Sequence, residues 1–201
     1  MRKKLLVAAI ALAGSLGSIG AASAQDVLGG DQGAACEAIL CLSSGSRPSE
    51  CSPSLSRYFG IKKKKLSDTL KARLNFLQLC PVSNQTPQMG DLVRAISRGA
   101  GRCDARSLNV TLRDWYGDRE DRQFYIRNQI PEYCNRYTRH EYTDLDDTTA
   151  RYVGVPERGG HWVEPQEYDT ALAAYNERIR REDEARERER RGGMFNLGSS
   201  K

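Results

Sequence analysis

Six cysteines are the side chains here best equipped for chemistry: Cys36, Cys41, Cys51, Cys80, Cys103 and Cys134. A thiol can ligate a metal, attack an electrophile or join a second thiol. Structural zinc sites draw on close pairs of the C-x-x-C kind, and no such pair occurs. The redox compartment therefore decides the reading. Arg2, Lys3 and Lys4 precede an apolar run from Leu5 to Ala13, and Ala22-Ser23-Ala24 offers the small-x-small pattern of a signal-peptidase site before Gln25. An exported chain matures where disulfides persist, so an even set of six predicts three disulfides and no metal.

Six cysteines allow 15 pairings, and one local pair is disfavoured by geometry. Cys36 and Cys41 lie five apart in a stretch that reads as helix. That spacing separates them by about 140° around the axis and puts roughly 8–9 Å between their α-carbons, beyond the ~7 Å limit for bridged pairs. Each then pairs elsewhere, and the first helix is fastened on two sides. The expected set is Cys36–Cys80, Cys41–Cys51 and Cys103–Cys134.

Other catalytic chemistry finds little support. The two histidines, His140 and His161, sit in no catalytic motif, and G-x-S-x-G, H-E-x-x-H and P-loop patterns are absent. Glycoside hydrolysis needs two singled-out carboxylates. Glu37, Glu50, Glu120 and Asp121 are four of 26 acids with nothing to distinguish a pair. Asp144, Asp146 and Asp147 lack the glycine and closing glutamate of a calcium loop. No cofactor motif is present, and the chain is expected not to be an enzyme. Lys62–Lys65 is a lysine run that reads as a solvated face.

Removing residues 1–24 leaves 177 of the 201 residues, enough for one domain with its own core. The signal carries three of the net positive charges, so the mature chain falls from +5 to near +2. That balance gives no global case for nucleic acid, and basic residues show no interleaved stacking aromatics. No apolar run after residue 22 approaches the ~20 residues of a membrane-spanning helix.

The elements that must position the cysteines are mainly helical. Residues 31–42 read as a helix capped by Asp31, with Ala35, Ala38, Ile39 and Leu42 as its apolar stripe. Ser52-Pro53 opens a second, with Leu55, Tyr58 and Phe59 on its apolar face. Leu66, Leu70, Leu74 and Leu77 predict a helix over about 63–79, ended by Pro81. Thr86-Pro87 opens another through Gly99, with Met89, Leu92, Val93 and Ile96 inward. Residues 107–115 fit helix or strand, and 119–129 and 131–141 read as helices. Two extended runs around Gly159-Gly160 predict a β-hairpin. After Ile179 large apolar residues vanish until Met194. Glu177/Arg181, Glu182/Arg186, Glu184/Arg188 and Glu187/Arg191 supply acid-first pairs four apart. That stretch is a solvated helix or disordered. The expected fold class is mainly α: a signal over 1–24, a small disulfide-stabilised helical domain over 25–165 with a C-terminal hairpin, and a charged helical or disordered tail over 166–201.

The polar loop Leu42–Glu50, bracketed by Cys41 and Cys51, is a candidate contact surface. Arg47 and Glu50 offer charge, and Tyr58 and Phe59 an adjacent aromatic anchor of the kind that dominates interfaces. The alternative for both aromatics is simple core packing. The segment Cys36-Glu37-Ala38-Ile39-Leu40-Cys41-Leu42-Ser43-Ser44-Gly45, then Arg47-Pro48-Ser49-Glu50-Cys51-Ser52-Pro53-Ser54-Leu55 and Arg57-Tyr58-Phe59, resembles the TrbM family (also called KikA or MpfK) of conjugal transfer proteins. The similarity continues through Lys62–Lys65 to Cys80-Pro81-Val82, with Cys103-Asp104-Ala105 fitting more loosely. The resemblance implies an exported, periplasmic accessory of type IV secretion and mating-pair formation, in contact with protein components of that machinery. It carries over no catalytic residue. A cell-wall hydrolase and a periplasmic inhibitor or regulator are the alternatives.

The signal reading has a direct test. Intact mass of the protein from an osmotic-shock fraction should place its first residue at Gln25. Retained Met1, or a lipid on Cys36, would overturn it.

Overall fold

The computed structural model describes residues 29–196, so the signal-peptide expectation over 1–24 lies outside the described residues. Seven helices carry the fold among them: α1 Gly30–Ser43, α2 Ser52–Gly60, α3 Leu66–Leu77, α4 Pro87–Gly99, α5 Ala105–Thr111, α6 Glu132–Thr138 and α7 Tyr168–Asn196. Two antiparallel hairpins interrupt them: β1 Arg113–Tyr116 with β2 Gln123–Ile126, and β3 Arg151–Val153 with β4 His161–Val163. The fold is mainly α, as the periodicities predict.

α1 buries Ala35, Ala38, Ile39, Cys41 and Leu42. α4 packs on α1, α3 and α6 and buries Leu92, Val93 and Ile96 in the same core. Its start follows the sequence signal: the Thr86 hydroxyl accepts from the Met89 amide at 3.1 Å, and Pro87 opens the first turn. Its end abuts α6. A β-carbon on Gly99 would sit 2.5 Å from that of Tyr137, so only glycine permits this approach.

Three disulfides join these helices: Cys36–Cys80, Cys41–Cys51 and Cys103–Cys134. They match the expected set, of which helix geometry by itself had excluded only the Cys36–Cys41 alternative. Two start on α1, one reaching past the end of α3 and the other to the start of α2. The third joins the α4–α5 connection to α6.

Several local expectations need correction. Gly29, not Asp31, occupies the cap of α1; Asp31 sits in the first turn and forms an ion pair with Arg57. Ser52 lies inside α2, with Cys51 at the cap position. Of the leucine stripe α3 fully buries only Leu77, together with Thr69, Arg73 and Phe76; Leu66 is 56% exposed, and Leu70 and Leu74 are half-buried. The helix is rolled so that Arg73 reaches the end of α2 and Cys80 faces Cys36. Residues 119–129 are not helical: Gln123–Ile126 pairs with Arg113–Tyr116 in strict register, Trp115 opposite Phe124. Residues 107–115 divide between the end of α5 and β1.

Arg73 is an unusual core residue. Its guanidinium lies 4.9 Å from the Tyr58 ring centre and 5.5 Å from that of Phe59, and it donates to the Phe59 carbonyl at 3.4 Å. A cation there meets two ring faces and the negative end of α2. Tyr58 is fully buried and donates to the Ile96 carbonyl at 3.1 Å, tying α2 to α4. Burial raises its hydroxyl pKa well above the ordinary value, with Arg73 opposing.

Of the two alternatives for the tail, the structure has the helix. α7 docks on the β3–β4 hairpin through its first half. The Arg151 guanidinium lies 3.4 Å from the Tyr168 ring centre. Gly154, at φ +79°, leaves room for Tyr175, whose hydroxyl accepts from the Val155 amide at 3.1 Å. Arg178 donates to the Arg158 carbonyl at 2.7 Å, and Arg158 reaches Asp183 at 2.7 Å and Glu182 at 3.2 Å. From Asp183 to Gly192 every residue is exposed.

Two truncations separate these contributions. Ending the chain at Ile179 removes Glu182 and Asp183 but keeps Tyr168 and Tyr175. Solvent-accessible ion pairs contribute about 0–1 kcal/mol, so the thermal midpoint should fall by no more than roughly 2–4 °C. Ending at Gln166 uncovers Gly154 and Val155 and should cost clearly more. Equal midpoints for the two, by calorimetry, would show that α7 does not stabilise the hairpin.

Candidate protein-interaction site

The loop between Cys41 and Cys51 leaves α1 and returns through a 3-10 turn, Ser49–Cys51. The Asp144 amide donates to the Ser43 carbonyl at 2.8 Å and holds the exit of α1. Arg47 and Glu50 are exposed on the loop. Arg47 lines a cleft of about 250 Å³ with Phe59, Tyr137, Asp104 and Glu164. Glu50 is not among the cleft's residues; Ser49 donates to it at 3.3 Å.

The four residues singled out on this loop and on α2 therefore divide. Arg47 and Phe59 meet in one cleft, with Phe59 half-buried against Gly101. Glu50 stands apart in solvent. Tyr58 is a core residue, fully buried with its hydroxyl committed to Ile96, so it cannot serve as a surface anchor. The reason is that α2 turns this ring toward α4 and Arg73. Both acids of the cleft serve the fold: Asp104 accepts from the Ser107 amide at 2.8 Å, and Glu164 from the Ala105 amide at 2.8 Å. Tyr137 donates to the Leu42 carbonyl at 2.6 Å. Burial pushes its hydroxyl pKa up to about 12, against the pull of the neighbouring Arg47 cation.

An exposed aromatic cluster lies elsewhere. Trp115, Tyr116 and Phe124 on the β1–β2 hairpin are 49%, 46% and 47% exposed. One hairpin face is a continuous stack. Arg113 lies over Phe124 at 4.4 Å, Phe124 meets Trp115 at 5.4 Å, and Arg122 lies over Trp115 at 5.0 Å. On the other face Tyr116 and Tyr125 are 5.9 Å apart, and Tyr116 donates to Gln123 at 2.7 Å. The hairpin is rooted by Ile126, whose carbonyl accepts from Tyr152 at 2.6 Å, and by Arg127, whose carbonyl accepts from the Trp162 indole at 3.0 Å. Sequence reasoning missed this surface because 119–129 reads as a helix. The available signal was the alternation of Arg113, Trp115, Phe124 and Ile126 about a Gly117-Asp118 turn. Residues 113–127 hold four arginines and four carboxylates, so the surface is balanced in charge.

A third surface is a cleft of about 700 Å³ between α4 and α6, bordered by Arg94, Arg98, Arg136 and His140. The two candidate histidines thus separate: His140 borders this cleft, and His161 sits in β4 with its ring 3.4 Å from the Gly159 carbonyl. Among the described residues no group of three His, Cys, Asp or Glu is arranged to hold a metal ion. No described helix is long and apolar enough to cross a membrane.

These features define a disulfide-stapled helical protein with an exposed arginine–aromatic hairpin. The family model for TrbM matches residues 27–176, and the chain belongs to the TrbM family of conjugal transfer proteins. No curated protein and no solved structure matches it.

The buried tyrosines predict alkaline behaviour. Tyr58 and Tyr137 have folded values raised above the 10.0 of free tyrosine. Folding favours their protonated forms, so that stability is fully present below pH 10 and is lost as pH rises toward 12. Absorbance titration of the nine tyrosines should show Tyr58 and Tyr137 ionising only as the chain unfolds, with half-buried Tyr152, also pushed up to about 12 by burial, late as well. Uniform ionisation near pH 10 with circular dichroism unchanged would refute this.

Proposed function

We propose that this protein is an accessory component of the conjugative transfer apparatus, working in the periplasm through protein–protein contacts without catalysing a reaction. The observation that carries the reading is the β1–β2 hairpin in a chain of this family. Its Arg113–Phe124–Trp115–Arg122 stack exposes the residue types that concentrate binding energy at protein interfaces. The rings hold one another in place, which lowers the ordering cost of association. Balanced charge favours a protein partner over a polyanion.

Membership of the TrbM family supports the process. Three disulfides and the sequence pattern of residues 1–24 support the compartment. The type IV secretion and mating-pair formation machinery supplies the partners in this reading. Arg47 and Glu50 form a second, smaller contact surface on the stapled loop.

Plasmid transfer between cells tests the proposal. Trp115→Ala with Phe124→Ala removes two half-exposed rings from a peripheral hairpin, so folding and disulfide formation should survive. Transfer frequency should fall by roughly tenfold or more, as expected when interface anchors are truncated. Arg47→Ala with Glu50→Ala should reduce transfer by less, and Lys71→Ala, an exposed position on α3 away from both surfaces, should not. Normal transfer by the hairpin variant, together with peptidoglycan breakdown by the purified protein, would replace this reading with the hydrolase.

A further inference from the structure

The cleft between α4 and α6 has no assigned role, and its chemistry is specific. α4 presents Arg94 and Arg98 on one face, four residues apart, with Ala95 forming the floor between them. α6 presents Arg136 from the opposite wall. Two of these cations are occupied: Arg94 pairs with Asp91 at 2.5 Å and Arg136 with Glu132 at 3.0 Å. The Arg98 side chain has neither a hydrogen bond nor an ion pair among the described residues. Beside it, Arg102 lies 4.0 Å from the ring centre of Tyr133 and is likewise without a carboxylate partner there. Tyr133 lines the cleft, and its buried hydroxyl has no hydrogen-bond partner among the described residues.

We infer that this cleft binds an acidic polypeptide segment, with Arg98 receiving a carboxylate of the segment. Charge complementarity is the basis. Three arginines line the cleft against two carboxylates, and the cation left over is Arg98 on the α4 wall. The local field already acts on a carboxylate: Arg94 holds the Asp91 carboxyl below its usual range, and His140 and Arg136 add to the effect. The size fits a short stretch of chain rather than a single ion, since clefts of roughly 300–1,000 Å³ hold drug-sized ligands. Asp91 and Glu132 select against a nucleic-acid strand. Their carboxylates line the same walls and would repel successive phosphates, whereas a peptide can set a neutral or basic residue against them. The cleft lies on different elements from the hairpin and the disulfide loop, and the inference does not rest on the role proposed above.

Fluorescence anisotropy with purified components provides the test. The oxidised mature chain is titrated against a short fluorescein-labelled peptide of alternating glutamate and alanine. A lysine–alanine peptide and a thymidine oligonucleotide of equal charge serve as comparisons. The glutamate peptide should bind, and more weakly as salt rises. Arg98→Glu and Arg136→Glu should each weaken it by roughly tenfold, as reversing a charge in a complementary cleft does. Arg106→Glu, an exposed position on α5, should leave it unchanged. Arg98→Glu removes no hydrogen bond or ion pair but puts an acid in the last turn of α4, where the helix dipole disfavours it. A thermal midpoint lower by no more than roughly 2–4 °C is expected and separates lost binding from lost folding. Unchanged affinity of Arg98→Glu, equal loss in Arg106→Glu, or tighter binding of the oligonucleotide would each overturn the inference.

Discussion

The fastening of α1 on two sides is the constraint from which the rest of the structure follows. Cys36 and Cys41 face different directions on one helix, and their bonds reach past α3 and to the start of α2. α2 and α3 are thereby held against a helix whose own apolar contribution is small: two alanines, one isoleucine and one leucine. Closing loops of these lengths contributes about 3–4 kcal/mol each on a chain-entropy account. That is a large share of the ~5–15 kcal/mol by which a domain is usually stable. With α2 and α3 fixed, α4 has a surface to pack on, and α6 packs on α4.

A set of long-range hydroxyl bonds locates these helices relative to one another. Tyr58 ties α2 to α4, Tyr137 ties α6 to the end of α1, and Tyr152 ties β3 to β2. Each is a buried or half-buried ring delivering one directional bond to a main-chain carbonyl. Asn109 does similar work for β4: its side chain both donates to the Trp162 carbonyl and accepts from the Trp162 amide, at 2.8 Å each. The hairpins are too short to stand alone. These side chains anchor them to the helical body and so hold the exposed stack of the β1–β2 hairpin in place.

Legibility from sequence followed the locality of the signal. α4 was readable because Thr86, Pro87 and the Met89–Ile96 stripe all act within one element. Helix geometry excludes a Cys36–Cys41 bond, whereas the choice among the remaining pairings depends on long-range packing that no local pattern carries. α3 was readable in position but not in rotation: Leu66, Leu70 and Leu74 suggest one buried face, and the long-range demands of Arg73 and Cys80 select another. β2 was misread because four-residue strands carry too short a pattern to outweigh a charged stretch resembling a surface helix. The same locality explains the mixed result for the proposed loop surface. Arg47 and Glu50 lie on a loop and were found exposed. The orientation of Tyr58 depended on α4 and Arg73, which no reading of α2 alone contains.

The nesting of the cysteine pairs bears on biogenesis. Cys41–Cys51 lies inside the span closed by Cys36–Cys80. A chain oxidised strictly in order of synthesis would join Cys36 to Cys41 first and leave Cys51 for Cys80. The native set instead requires Cys36 to stay reduced while two later cysteines emerge and pair. To the extent that α1 forms before oxidation it imposes that wait, because a formed helix keeps the α-carbons of Cys36 and Cys41 roughly 8–9 Å apart. Helices form in about a microsecond, whereas disulfides take seconds or longer. Helix formation can therefore act as a proofreader of thiol chemistry. A substitution that weakens α1 would first show itself as mispaired product that depends on an isomerase, before any loss of stability in correctly paired molecules.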